Sequence, residues 1–349
     1  MPLPSSFSPP PFRLVINGYG RIGRCFLRAI TEAGLTERLQ VVAINEPAEL
    51  TSIAYLTRFD STHGRFPGNV AETKDGLVLN GCPIAVTHAY TPEGVDWDAL
   101  KPDLLVECSG QYHQRVDLAR FIAAGVPRLL LSHPAASAPD VDATIVFGVN
   151  HTLLDRQAQI ISGASCTTNA AIPVLATLLE EVGLEHVLIT TLHSAMNDQP
   201  LIDGYHHPDL RRTRSAMQSI IPVATGLARG IERLLPQLTD RVTAKAIRVP
   251  TANVSALDMT LALKRATDAT EINQLLEHAA AGKYRGQLAT TNTPHASIDF
   301  NHDPHSAIID MSQTQNVAPN IVNLLLWFDN EWGFANRLLD IAQYWLSAD

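Results

Sequence analysis

A short run of apolar residues, Arg13 to Asn17, leads directly into Gly18-Tyr19-Gly20-Arg21-Ile22-Gly23, and an amphipathic segment follows from Arg21 to Gly34. A glycine-rich turn set between a strand and a helix leaves a chain few alternatives. The first glycine permits the tight turn, the second lets backbone N–H groups approach a diphosphate, and the third lets the helix lie close to the sheet. Leu39 to Asn45 reads as the next strand and completes a βαβ unit, with Glu46 lying 23 residues past the last glycine. A carboxylate there holds adenosine ribose hydroxyls and repels a 2′-phosphate, so the pattern favours NAD over NADP. The competing reading is a structural turn beside a solvated glutamate.

Further apolar runs at Leu104 to Cys108, Leu129 to Ser132 and Thr144 to Val149, with a helical segment from Gln114 to Ala124, extend a parallel sheet. After Cys166 the segments lengthen: a helix through Leu179, a strand from Val187 to Met196, a basic loop from Asn197 to Arg214, and a helix around Thr225 to Leu235. Two alternating runs, Val242 to Val249 and Ala256 to Lys264, are close enough in sequence to suggest an antiparallel pair. Gly333 to Leu346 has the apolar spacing of a helix and is expected to pack back on the first domain. The fold class is therefore α/β: a Rossmann dinucleotide-binding domain over 13–165, then an α+β catalytic domain with a mixed or antiparallel sheet over 166–331. A closing helix occupies 332–349, and the proline-rich 1–12 reads as a disordered lead-in.

Composition narrows the partners. With 349 residues, 46% hydrophobic and 17% charged, the chain can bury two cores and is neither disordered nor a polyelectrolyte. A formal charge of -9 disfavours nucleic acid and anionic membrane, so a phosphate needs a local basic pocket. Cys25, Cys82, Cys108 and Cys166 show no C-x-x-C spacing, which argues against a zinc knuckle or disulfide framework and for a reducing, cytoplasmic setting. Gln157 to Leu179 is uncharged, but six small polar residues and glycines crowd its first half, unlike a membrane span.

Cys166 stands between the strand Ile160 to Ser162 and a helix, where free N–H groups and the helix dipole are expected to lower the thiol's titration. His193, near the end of the following strand, can return to the same cleft, take the thiol proton and hydrogen-bond an oxyanion. The other three cysteines read as packing. Arg211, Arg212 and Arg214, with Thr225-Gly226 at a helix start, suit a phosphate, though a solvated or inter-subunit surface is the alternative. Arg248 within an apolar strand is costly unless it meets an anion. His302-x-x-His305 with Asp303, and His206-His207, lack a third cluster at metal-ligand spacing and read as loop residues, so no metal is expected.

Together Ile16-Asn17-Gly18-Tyr19-Gly20-Arg21-Ile22-Gly23-Arg24, Ser165-Cys166-Thr167-Thr168-Asn169 and Asp329-Asn330-Glu331-Trp332-Gly333 resemble the glyceraldehyde-3-phosphate dehydrogenase family, from Arg13 to about Trp345. The resemblance implies a homotetramer with Cys166 as nucleophile and His193 as its activator. It implies NAD contacts from Arg21, Ile22, Glu46, Ser109, Ser132 and Asn330, and phosphate contacts from Ser165, Thr167, Arg212, Thr225, Gly226 and Arg248. Within the family, His193-Ser194-Ala195-Met196, Tyr205 to Arg214, Ser297 to Ser306 and Glu331 to Arg337 are most similar to the erythrose-4-phosphate dehydrogenase branch.

Met196 stands where the family usually has a phosphate-binding threonine and cannot donate a hydrogen bond. Glu46 replaces the more usual aspartate, Tyr90 stands where an arginine is frequent, and His206-His207 looks like a one-residue extension. The implied reaction is NAD-dependent oxidation of D-erythrose 4-phosphate to 4-phosphoerythronate, a step the resemblance connects to pyridoxal phosphate synthesis. A phosphorylating glyceraldehyde-3-phosphate dehydrogenase and a non-catalytic NAD-binding regulator are the alternatives.

Overall fold

The computed structural model describes residues 10–205 and 209–347, so residues 1–9 of the lead-in and the His206-His207 pair lie outside the described residues. Phe12 already belongs to the first strand, Phe12–Asn17.

The first nine-stranded sheet runs, in spatial order, Ala143–Thr144, Ile160–Ser162, Leu129–Leu131, Leu104–Glu107, Phe12–Asn17, Leu39–Asn45, Cys82–Thr87, Gly76–Leu79 and Val70–Glu72. The first seven pair in parallel, and two antiparallel strands extend the far edge. Continuous apolar runs suit this arrangement, because Leu14, Val15, Ile16, Leu104, Leu105 and Val106 are wholly buried under helices on both faces. Strand order turns back on either side of Phe12–Asn17, so a crevice opens beyond the carboxyl ends of that strand and of Leu104–Glu107. The run from Thr144 to Val149 is only briefly a strand. Asn150 takes the backbone groups that pairing would use, accepting from Val146 N at 2.8 Å and donating to Thr144 O at 2.8 Å.

The second sheet has the order Ile221–Val223, Val242–Arg248, Leu184–His193, Ser255–Leu263, Ile321–Phe328, Ala307–Asp310 and Leu288–Thr291, with Gln315–Ala318 also on Ile321–Phe328. It is mixed. The expected pairing of Val242 to Val249 with Ala256 to Lys264 does not occur, because Leu184–His193 lies between them, parallel to the first and antiparallel to the second. The link through Pro250 crosses the end of that middle strand, where Val249 N donates to His193 O at 2.8 Å. In the resulting parallel register His193 stands beside Arg248.

The helix Cys166–Glu181 is apolar nearly all round and fills the core beneath this sheet with Leu257, Met259 and Leu324. The closing helix Trp332–Leu346 packs instead with Leu14, Ile16, Phe26 and Ile30 in the core of the first sheet. Leu338 sits so near Gly163 that a Cβ there would meet it at 2.5 Å. Among the described residues no helix is long and apolar enough to cross a membrane.

Candidate active site

Ser165 caps the cysteine helix: its Oγ accepts from Thr168 N at 3.1 Å and lies 3.0 Å from the Thr167 hydroxyl. The next residue, Cys166, therefore starts the helix. Its Sγ is 3.8 Å from His193 Nε2, while His193 Nδ1 is 2.8 Å from the Ser194 carbonyl. A carbonyl only accepts, so Nδ1 carries the proton and the Nε2 lone pair faces the thiol.

The expected low titration of the thiol is not found. Burial pushes the Cys166 thiol up to about 12, against the pull of the Thr167 and Cys166 backbone N–H groups. The same burial, opposed by the Ser194 carbonyl and aided by Arg248, pushes His193 down. Both shifts favour an uncharged thiol–imidazole pair, from which the proton can pass as bonding to sulfur begins.

Asn330 is fixed by a pair of buried hydroxyls. Ser194 Oγ and Ser255 Oγ donate to its Oδ1 at 2.9 and 2.8 Å, which fixes the amide's orientation and leaves Nδ2 as the donor on the opposite side. The adjoining Asp329 anchors the start of the closing helix, its Oδ1 accepting from Glu331 N at 2.9 Å and Trp332 N at 2.8 Å.

The glycine turn fits a dinucleotide. At Gly18, with φ +85°, a Cβ would meet Ser109 N at 2.4 Å, whereas at Gly20 it would meet nothing within 4 Å. Gly23 permits close packing, a Cβ there falling 2.4 Å from Gly18 O. No side chain caps the helix Arg21–Glu32, so the Arg21 and Ile22 N–H groups are open to an anion. The Arg21 guanidinium is committed elsewhere, to Asp60 at 2.5 Å and to Glu331 at 2.5 Å. Glu46 closes one end of a cleft of about 250 Å³ that Gly18, Gly20, Tyr90 and Ser109 also line, its Oε2 accepting from Tyr19 N at 2.8 Å. Ser109 N donates at 2.7 Å to Glu107, a fully buried carboxyl whose titration burial raises. Ser132 N donates to the Glu107 carbonyl at 2.9 Å.

The basic residues divide. Arg212 and Arg248 converge on one carboxylate, Asp198, whereas Arg214 pairs with Asp203 at 2.9 Å. Ser165, Thr167, Thr225 and Gly226 line a separate cavity of about 640 Å³ that Arg229 and Arg233 also line. Met196 follows the His193 strand and is 46% exposed.

Several participants gave no sequence signal. Ser194 and Ser255 are ordinary strand serines until the sheet brings them to Asn330. Asp198 was findable as the acid within a basic loop five residues past His193. His302 is a loop residue, as expected, but a half-buried and well-held one: its Nδ1 is 2.9 Å from His63 Nδ1 and its ring stacks 3.8 Å from Trp332. His63 Nε2 in turn is 3.0 Å from Glu331. Cys25, His63 and Glu331 bring ligand-type atoms within 4.8 Å of one another, yet Arg21 already holds Glu331 and His302 already engages His63.

The described geometry agrees with comparison against known families. Residues 12–115 match the NAD binding domain of glyceraldehyde 3-phosphate dehydrogenase, and residues 165–330 match the C-terminal domain of the same family.

Proposed function

The chain belongs to the glyceraldehyde 3-phosphate dehydrogenase family, an NAD-dependent aldehyde-oxidising group, and on that premise we propose that its substrate is D-erythrose 4-phosphate. The observation that carries the general chemistry is the 3.8 Å approach of the Cys166 thiol to an imidazole whose tautomer leaves Nε2 free. Cys166 Sγ attacks the C1 aldehyde as its proton passes to His193 Nε2, giving a thiohemiacetal. The Cys166 backbone N–H and the protonated His193 hold the developing oxyanion. NAD, when bound, would supply the acceptor for the hydride that leaves C1, which turns the thiohemiacetal on Cys166 into a thioester; Glu46, the Arg21 and Ile22 N–H groups, Ser109, Ser132 and Asn330 would hold it. His193 then positions water to cleave the thioester, releasing 4-phosphoerythronate and returning the thiol.

The four-carbon substrate is supported by the resembling segments around His193 and Ser297 to Ser306, and by Met196, whose exposed thioether offers no hydrogen to a nearby phosphate. A second reading, phosphorylating oxidation of glyceraldehyde 3-phosphate, is favoured by the hydroxyl-lined cavity at Ser165, Thr167 and Thr225, which is suited to inorganic phosphate as acceptor. The same proposal divides the chain at 165 and 331 and places it in the cytoplasm as a homotetramer. Exposed Leu201, Ile202, Leu210 and Ile220 support an assembly surface.

NADH formation with each aldehyde, with and without inorganic phosphate, tests the substrate. Four-carbon preference without a phosphate requirement is expected, and three-carbon preference requiring phosphate refutes it.

A further inference from the structure

Arg212 and Arg248 come from different elements, a short turn at Leu210–Thr213 and the end of a strand beside His193. Their guanidinium groups nevertheless meet at one anion, supplied by the protein. Asp198 Oδ1 meets Arg248 Nη1, its Oδ2 lies 3.2 Å from Arg248 Nη2, and that same oxygen meets Arg212 Nη2. Such a fork is the geometry by which arginine holds either a carboxylate or a phosphate. Arg248 is only 11% exposed at its side chain, so an unpartnered charge there would be costly. Asp198, on a loop and 41% exposed, loses little by returning to water. Burial raises its carboxyl's titration, but Arg248 and Arg212 outweigh this and hold it below the usual carboxylate range.

We propose that Asp198 is a tethered carboxylate occupying the anion seat of Arg212 and Arg248, and that a phosphoryl group enters this seat only by displacing it. Asp198 is thereby a specificity-determining residue. It sets a cost on every substrate whose phosphate reaches the two arginines, and none on an aldehyde that lacks a phosphate. Charge balance gives the direction. Two guanidinium groups less one carboxylate leave a single positive charge for a phosphate dianion; with Asp198 displaced, two are available. The inference rests on the reading above only in taking Arg212 and Arg248 to be the phosphate seat, not on the length of the sugar.

The test compares full-length enzyme with Asp198→Asn, which keeps size and removes charge, in calorimetric titrations with sodium phosphate and sodium sulfate. Thermal melting checks that the variants are folded. Phosphate and sulfate should each bind about tenfold tighter to Asp198→Asn. KM for the phosphorylated aldehyde should fall in step. Adding Arg248→Ala should erase the gain. Unchanged or weaker anion binding in Asp198→Asn overturns the proposal, as does a gain that survives Arg248→Ala, which would locate the anion elsewhere. Wild-type preference for glyceraldehyde 3-phosphate would refute the four-carbon reading and leave this comparison intact.

Discussion

Replacing Gly18 and Gly20 one at a time by alanine separates folding from nucleotide binding within a single turn. At Gly18 the new Cβ would stand 2.4 Å from Ser109 N, 2.5 Å from Ser109 Cα and 2.7 Å from Cys108 C, all backbone atoms that no rotamer change can move. Its φ of +85° adds strain for any L side chain, roughly 1–2 kcal/mol. Forcing the two strand ends apart adds about 1–3 kcal/mol more. At about 2–4 °C of melting temperature per kcal/mol in a domain of this size, Gly18→Ala should lower Tm by on the order of 5–15 °C. Gly20 has φ -72° and open space around its Cβ position, so its alanine variant should lose at most about 1 kcal/mol, through a poorer helix start. The methyl group then occupies the path of the diphosphate, and NAD should bind at least about tenfold more weakly. Thermal melts and fluorescence titration with NAD measure both quantities. Wild-type NAD affinity in Gly20→Ala, or an unshifted melt in Gly18→Ala, refutes this account of the turn.

Cys166→Ala should abolish NADH production, and substantial residual turnover contradicts the thiol mechanism. With the thiol pushed up to about 12 by burial, its thiolate is scarce at neutral pH unless His193 takes the proton. In His193→Asn, iodoacetamide labelling of Cys166 should therefore be slow at pH 7 and rise about tenfold per pH unit towards alkaline pH. Wild type should label faster and with a shallower slope, and identical profiles would show that His193 accepts no proton. Glu46→Ala should narrow the preference for NAD over NADP by on the order of tenfold, measured as a ratio of kcat/KM; an unchanged ratio would place the discrimination elsewhere.

The sequence was most readable where local chemistry dictates local structure. Gly18, Gly20 and Gly23 announce their turn because only glycine satisfies its sterics, and the strand at Ile160–Ser162 has the limits its apolar run suggests. Pairing between distant strands carries no such local mark. Val242–Arg248 and Ser255–Leu263 alternate like hairpin partners, yet each prefers Leu184–His193, whose residues Val187 and Ile189 are buried between them. The candidate site shows the same division. Cys166 at a helix start was legible, but its titration depends on enclosure by residues far away in the chain, which reverses the direction that the helix start alone suggests. The amide orientation of Asn330 depends on two serines 136 and 75 residues away, and no spacing rule connects them.

The closing helix gives the chain an order of completion. Trp332–Leu346 fills the core formed by Leu14, Ile16, Phe26 and Ile30, but the whole second sheet stands between them in sequence. During synthesis the nucleotide-binding half consequently emerges first and is finished last, with an apolar face uncovered while the other half is made. A fragment ending before Trp332 would carry that face permanently, so the two halves are not interchangeable modules that could be cut and joined at their boundary.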